Sequence, residues 1–164
     1  MIINEIKIVE NFQKLNLTKL MNIVSSPFNS LNFIILVFLL NIIDIFNINN
    51  SLILFFGGIL CCFLKQLFKR TRPFKKKHVK NMSTSKYDDL LSVYSFPSGH
   101  TFISMVFSLL LFKKYHNYYL MIIPLLVGIS RICLGVHYPS DIIGGIIISI
   151  LYLNLLPSKF FGKN

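Results

Sequence analysis

Five long apolar stretches fill most of the chain after residue 30, at 31–46, 51–68, 98–112, 118–136 and 142–156. Each lies near the roughly 17–25 residues that a bilayer-crossing helix needs, some at the short end. Strands are a poor alternative, because the apolar residues do not alternate and a lone strand leaves its backbone unsatisfied in lipid. The predicted fold is therefore all-α: an integral membrane helical bundle of about five transmembrane helices in a single domain over 1–164. Composition agrees, with 54% hydrophobic residues and a mean hydropathy of +0.63, more than a soluble core requires.

Ahead of the apolar stretches, residues 1–26 read as an amphipathic helix. Ile2, Ile6, Val9, Phe12, Leu20 and Ile23 fall near helical spacing, with Lys7, Glu10, Lys14 and Lys19 between them. Such a helix lies in a membrane interface or packs on the rest of the fold. Glu5 and Glu10 interrupt it, and no small-residue cleavage site follows, so it is not read as a secretory signal. Asp44 stands inside the first apolar stretch but near its end, which places it at an interface rather than mid-membrane. The three cysteines, with Cys61 and Cys62 adjacent, give neither a disulfide framework nor zinc-ligand spacing. They read as small buried hydrophobes.

The only long polar stretch, KRTRPFKKKHVKNMSTSKYDDLLSVY, separates the second apolar run from the third. It reads as a loop with a short helix over 87–93. If each apolar stretch crosses once, residues 65–73, 97–100 and 131–141 all emerge on the same face. Topology alone brings three distant polar clusters to one place.

Their chemistry suits an anion. Lys65 and Arg72 are fixed cations matched to phosphate oxygens, although basic residues at a helix exit also serve as plain interfacial anchors. In PSGH, Ser98 fits an N-cap and Gly99 admits close approach to the backbone, so the helix start is an anion site. His100 beside it suits proton delivery; an ordinary capping turn with an incidental histidine is the alternative. In SRICLGVHYPSD, Arg131 can grip a phosphate oxygen. Asp141, four residues beyond His137, can accept its N–H, fix the tautomer and leave the other nitrogen to attack phosphorus. The competing arrangement is a buried Arg131–Asp141 ion pair with His137 in a polar contact. Net charge is +11, and sixteen phenylalanines without tryptophan favour lipid over nucleic acid as the anionic partner.

KQLFKRTRP, YSFPSGH and SRICLGVHYPSD resemble the three signature motifs of the type 2 phosphatidic acid phosphatase superfamily, which also includes the vanadium haloperoxidases. Every signature position is filled, and the motifs span residues 65–141. The resemblance implies a phosphohydrolase that uses no metal and no cofactor and passes through a phosphohistidine. His137 would be the nucleophile, Asp141 its orienting partner and His100 the acid and later the base. Lys65, Arg72, Ser98, Gly99 and Arg131 would hold the phosphate. Membrane members of the family commonly have six spanning helices; here an amphipathic segment stands where the first would be.

A site at a membrane face implies a lipid phosphate or diphosphate substrate. The basic stretch before YSFPSGH is similar to that of polyisoprenoid diphosphate phosphatases, while phosphatidate and related lipids fit the same motifs. Lys75, Lys76, Lys77 and Lys80 offer contacts to anionic headgroups, or simply a solvated charged loop. The site face carries 13 of the 17 basic residues, which places it toward the cytosol by the positive-inside rule. The family resemblance implies the opposite side. Two rivals remain at this point: a catalytically silent lipid-binding or scaffold protein, and a vanadate-holding haloperoxidase.

Overall fold

In a computed structural model the described residues are 2–85 and 93–157. Among them the architecture is a helical bundle of seven α-helices: α1 (Ile2–Gln13), α2 (Thr18–Ser25), α3 (Ser30–Ile42), α4 (Ile48–Phe68), α5 (Gly99–Tyr115), α6 (Ile122–Cys133) and α7 (Pro139–Leu155). The five apolar stretches correspond to α3 through α7. The short helix expected over 87–93 lies outside the described residues, except for Val93.

Helix length differs from the expectation of about five spans. Among the described residues one helix, α4, is long and apolar enough to cross a membrane by itself; its 21 residues extend about 31 Å. The segments Thr18–Phe28 and Ser30–Ile42 pass the same test only as a pair, bent by 52°. The first apolar stretch stops being helical at Ile42 because Asp44 turns the chain at φ 55°. Asn41 braces that turn, donating to the Val37 carbonyl at 2.7 Å and to Ser51 Oγ at 2.8 Å. α4 begins earlier than its apolar run, since Asn47 Oδ1 accepts from Asn50 N at 2.9 Å and caps the helix. Asp44 itself is exposed at this corner, where Lys114 at the end of α5 donates to the carbonyls of Asp44 and Ile45.

α5 is the central helix, packed against α4, α6 and α7. Phe102, Val106, Phe107 and Leu110 of α5 form the main core with Ile53, Leu54 and Cys61 of α4, Val127 of α6 and Leu153 of α7. Its other buried positions are Met105 and three hydroxyl residues, Thr101, Ser104 and Ser108. Ser104 returns its hydroxyl to the Thr101 carbonyl at 3.1 Å, whereas the Ser108 hydroxyl is buried without a partner among the described residues. Outward faces are apolar, and Phe38, Phe55 and Phe63 are each 63% exposed.

The amino-terminal segment is two helices rather than one. The break falls at Asn16, with φ 58°, between Gln13 and Thr18. α1 is docked on the bundle: Val9 is buried with Val79, Ile132 and Ile142, and Glu5 is buried too. Of the two expected settings for this segment, α1 adopts the packed one. α2 lies along α6 but leaves Leu20 and Ile23 exposed.

Candidate active site

Four helix ends meet on one face. α4 delivers Lys65 in its last turn, buried, with Nζ donating to the Tyr94 carbonyl at 3.1 Å. The helix is ended by Lys69 in the left-handed region, φ 48°. The chain then passes Arg70 and the buried Arg72, and its return path closes on the same point. Thr71 bridges Tyr94, and Ser95 N donates to the Arg70 carbonyl at 2.8 Å. This pairing sets residues 95–98 beside the end of α4.

Gly99 opens α5. A Cβ at Gly99 would stand 3.8 Å from Lys65 Cε, so the lysine stem runs along the helix mouth. Ser98 occupies the N-cap position with extended backbone, as expected, but its side chain makes no capping bond. Its Oγ instead accepts from Thr101 Oγ1 at 3.0 Å. The Ser98 backbone does the joining: its N–H donates to the Asp141 carbonyl at 3.1 Å. Opposite, Gly145 lacks the Cβ that would lie 3.0 Å from Ser98 O. The PSGH turn and the first turn of α7 are therefore in direct backbone contact.

α6 ends with Arg131, fully buried. Its carbonyl accepts from Val136 N at 3.2 Å and His137 N at 3.3 Å, which folds the chain back toward α7. The fold-back needs Gly135 at φ 76°, where a side chain would collide with the Lys80 carbonyl. His137, 1% exposed, lies with Nδ1 3.4 Å from Asp141 Oδ2. That oxygen also accepts from Tyr138 N at 2.9 Å. The other oxygen, Oδ1, accepts from Arg70 Nη1 at 2.6 Å, and the Ser95 side chain also bonds this carboxylate. With Nδ1 donating to Asp141, the lone pair of His137 sits on Nε2. His100 is half-buried, its Nε2 2.9 Å from Asn29 Oδ1.

The expected residues thus occupy one end of the bundle: Lys65, Arg72, Ser98, Gly99, His100, Arg131, His137 and Asp141. The Asp141 ion pair is made to Arg70, a residue the sequence reading passed over as spacer between Lys65 and Arg72. Four more contacts come from three residues ahead of α3. Glu5 Oε2 pairs with Arg70 Nη2 at 2.7 Å, and Glu5 Oε1 accepts from Ser140 N at 2.9 Å. Ser25 Oγ accepts from Arg131 Nη1 at 3.3 Å, and Asn29 holds His100. Of these, Glu5 carried a signal, as an acid interrupting an apolar helix face; Ser25 and Asn29 carried none. Arg70 also stacks 4.3 Å from the Tyr138 ring centroid. Burial pushes the Tyr138 phenol above its ordinary pKa, and the Arg70 cation offsets part of that rise.

The sequence profile of the PAP2 superfamily matches residues 48–164, more than two thirds of the chain and all three motifs. This chain belongs to the PAP2 superfamily. Among PAP2 relatives and related proteins, it is 33% identical over 94 residues to a lipid A 1-phosphatase of Rhizobium etli, covering 56% of this chain and 40% of that one. It is 41% identical over 59 residues to the undecaprenyl-diphosphatase BcrC of Bacillus subtilis, covering 35% and 31% respectively. The chain therefore spans less than half the length of either relative. The crystal structure of a transmembrane PAP2 type phosphatidylglycerolphosphate phosphatase from Bacillus subtilis superposes with a TM-score of 0.66 at 24% identity, over 90% of this chain and 81% of that one. The PAP2 fold accounts for the joined helix mouths.

Proposed function

We propose that this chain, as one domain over 1–164, is a membrane-embedded phosphohydrolase of lipid phosphates or diphosphates that works through a phosphohistidine at His137. The observation that carries the reading is the hydrogen bond from Ser98 N to the Asp141 carbonyl. It ties the turn bearing His100 to the turn bearing His137, at the end of the bundle where Lys65, Arg72 and Arg131 are buried. Buried cations at a helix N-terminus favour a phosphoryl group. The apolar outer faces and the relatives that act on lipid A and undecaprenyl diphosphate support a lipid substrate in a bilayer.

In the first step His137 Nε2 attacks phosphorus, the P–O bond to the lipid breaks, and His100 gives its proton to the leaving oxygen. Asp141 holds the Nδ1 proton and balances the charge that develops on the ring. In the second step His100 takes a proton from water, the hydroxyl attacks phosphorus, and the P–N bond breaks to release phosphate. Lys65, Arg72, Arg131 and the first amides of α5 stabilise charge on the equatorial oxygens. No step requires a metal ion.

The test is phosphate release from a panel of lipid phosphates and diphosphates by protein purified in detergent. Wild-type protein is expected to release phosphate with EDTA present and to be inhibited by vanadate, which mimics the trigonal-bipyramidal phosphorus. His137→Ala should lose at least about a thousandfold in kcat while keeping its elution volume and helical circular dichroism. Turnover by His137→Ala at the wild-type rate would refute the assignment.

A further inference from the structure

Asp141 serves a guanidinium and an imidazole with one charge. Its short contact is to Arg70, at 2.6 Å, and its long one is to His137, at 3.4 Å. Left alone, Arg70 would neutralise the carboxylate and withdraw the negative field that the His137 ring needs when phosphorylation makes it cationic. Glu5 removes that conflict. Its carboxylate pairs with Arg70 through Oε2 and is fixed in place by the Ser140 amide through Oε1. Glu5, Arg70 and Asp141 together carry one net negative charge, adjoining a single imidazole. The trio is shielded from water, with side-chain exposures of 10%, 20% and 0%, so charge changes within it are weakly screened.

Building on the phosphohistidine reading, we infer that Glu5 and Arg70 are positioning residues that set the basicity of His137 with opposite signs, Glu5 raising it and Arg70 lowering it through Asp141. Neither needs to touch substrate. Other charged or titratable groups on the packed elements are Tyr138 at the start of α7, Arg131 on α6, Lys65 on α4, Arg72 beyond it and His100 on α5. The variants below leave all of them in place. Glu5 also lies outside the residues that the family profile matches, so the amino-terminal segment supplies part of the site's electrostatics.

The experiment uses full-length protein in detergent with 13C-labelled histidine, and His137→Ala identifies the His137 resonance. Glu5→Gln keeps the size and the acceptor for Ser140 N but removes the charge. The His137 ring should then titrate lower by about half a pH unit or more. Arg70→Gln keeps a donor for Asp141 but removes the cation, and the ring should titrate higher by a similar amount. The acidic limb of kcat/KM should move in the same directions, with kcat reduced several-fold in Glu5→Gln, KM little changed, and Glu5→Asp recovering both. A purely structural salt bridge would move neither titration, or would move both in one direction, and either outcome overturns the inference. If one variant fails to fold, the other still decides, because the sign of its shift is specified. Shifts of the expected signs in a protein that releases no phosphate would sink the proposed function alone. Normal turnover that depends on His137, without the shifts, would sink only this inference.

Discussion

Asp141 shows how much can rest on two oxygen atoms. Oδ1 is given to Arg70, and Oδ2 is divided between the His137 ring and the Tyr138 amide. The backbone carbonyl of the same residue anchors the PSGH turn. Gly145, one helical turn further on, keeps that anchoring possible. A Cβ there meets backbone, Ser98 O at 3.0 Å and Phe102 N at 3.4 Å, and backbone cannot rotate away as a side chain would. Gly145→Ala should therefore cost about 1–2 kcal/mol in stability and lower kcat more than KM, measured by thermal unfolding and phosphate release; an unaltered kcat would argue against a tight coupling of the two turns. Residue by residue, the site was legible where chemistry is encoded by local spacing. His137 and Asp141 are four apart on a proline-started turn, and Lys65 and Arg72 flank one helix exit. Arg70 and Asn29 were not legible, because their partners Asp141 and His100 are both 71 positions away, and nothing local marks that proximity.

Among the elements, α1 takes one of two settings that the sequence leaves open. Its apolar spacing is as consistent with lipid as with protein, and periodicity does not say which apolar surface a stripe will meet. What decides is the burial of Val9 and Glu5. The acid adds a second function for the helix: its carboxylate caps α7 by accepting from Ser140 N, at a helix start where Tyr138 provides no side-chain cap. An acceptor borrowed from 135 positions away replaces the usual local serine or aspartate. Deleting residues 2–15 should therefore lower the thermal midpoint by about 4 °C or more while leaving the protein in the membrane fraction. A helix serving only as an interfacial anchor would give the reverse pattern. The five apolar stretches were readable as helices, but their ends were not. Asn41, Asp44 and Asn47 redraw the first corner by side-chain bonds and a left-handed turn that hydropathy does not register.

For the whole molecule, the outer surface is the main constraint. Large apolar side chains face outward on α3, α4, α6 and α7, including Ile34, Phe56, Leu125 and Leu151, far beyond the patches a monomer leaves to water. Expressed protein should stay in the membrane pellet through an alkaline carbonate wash and come out in detergent. Release by carbonate would mean that these faces are covered by another protein rather than by lipid. The polar excursion after Arg70 bears on how such a molecule can change over time. It departs and rejoins at neighbouring residues, Thr71 against Tyr94, and is moored midway where Thr84 N donates to Asn22 Oδ1 at 2.9 Å. Extra residues spliced in after Ser85 would lengthen a closed detour, at a cost that grows only logarithmically, about 0.6 kcal/mol per doubling. The loop can therefore grow or shrink at that point while the helix ends on either side of it keep their register.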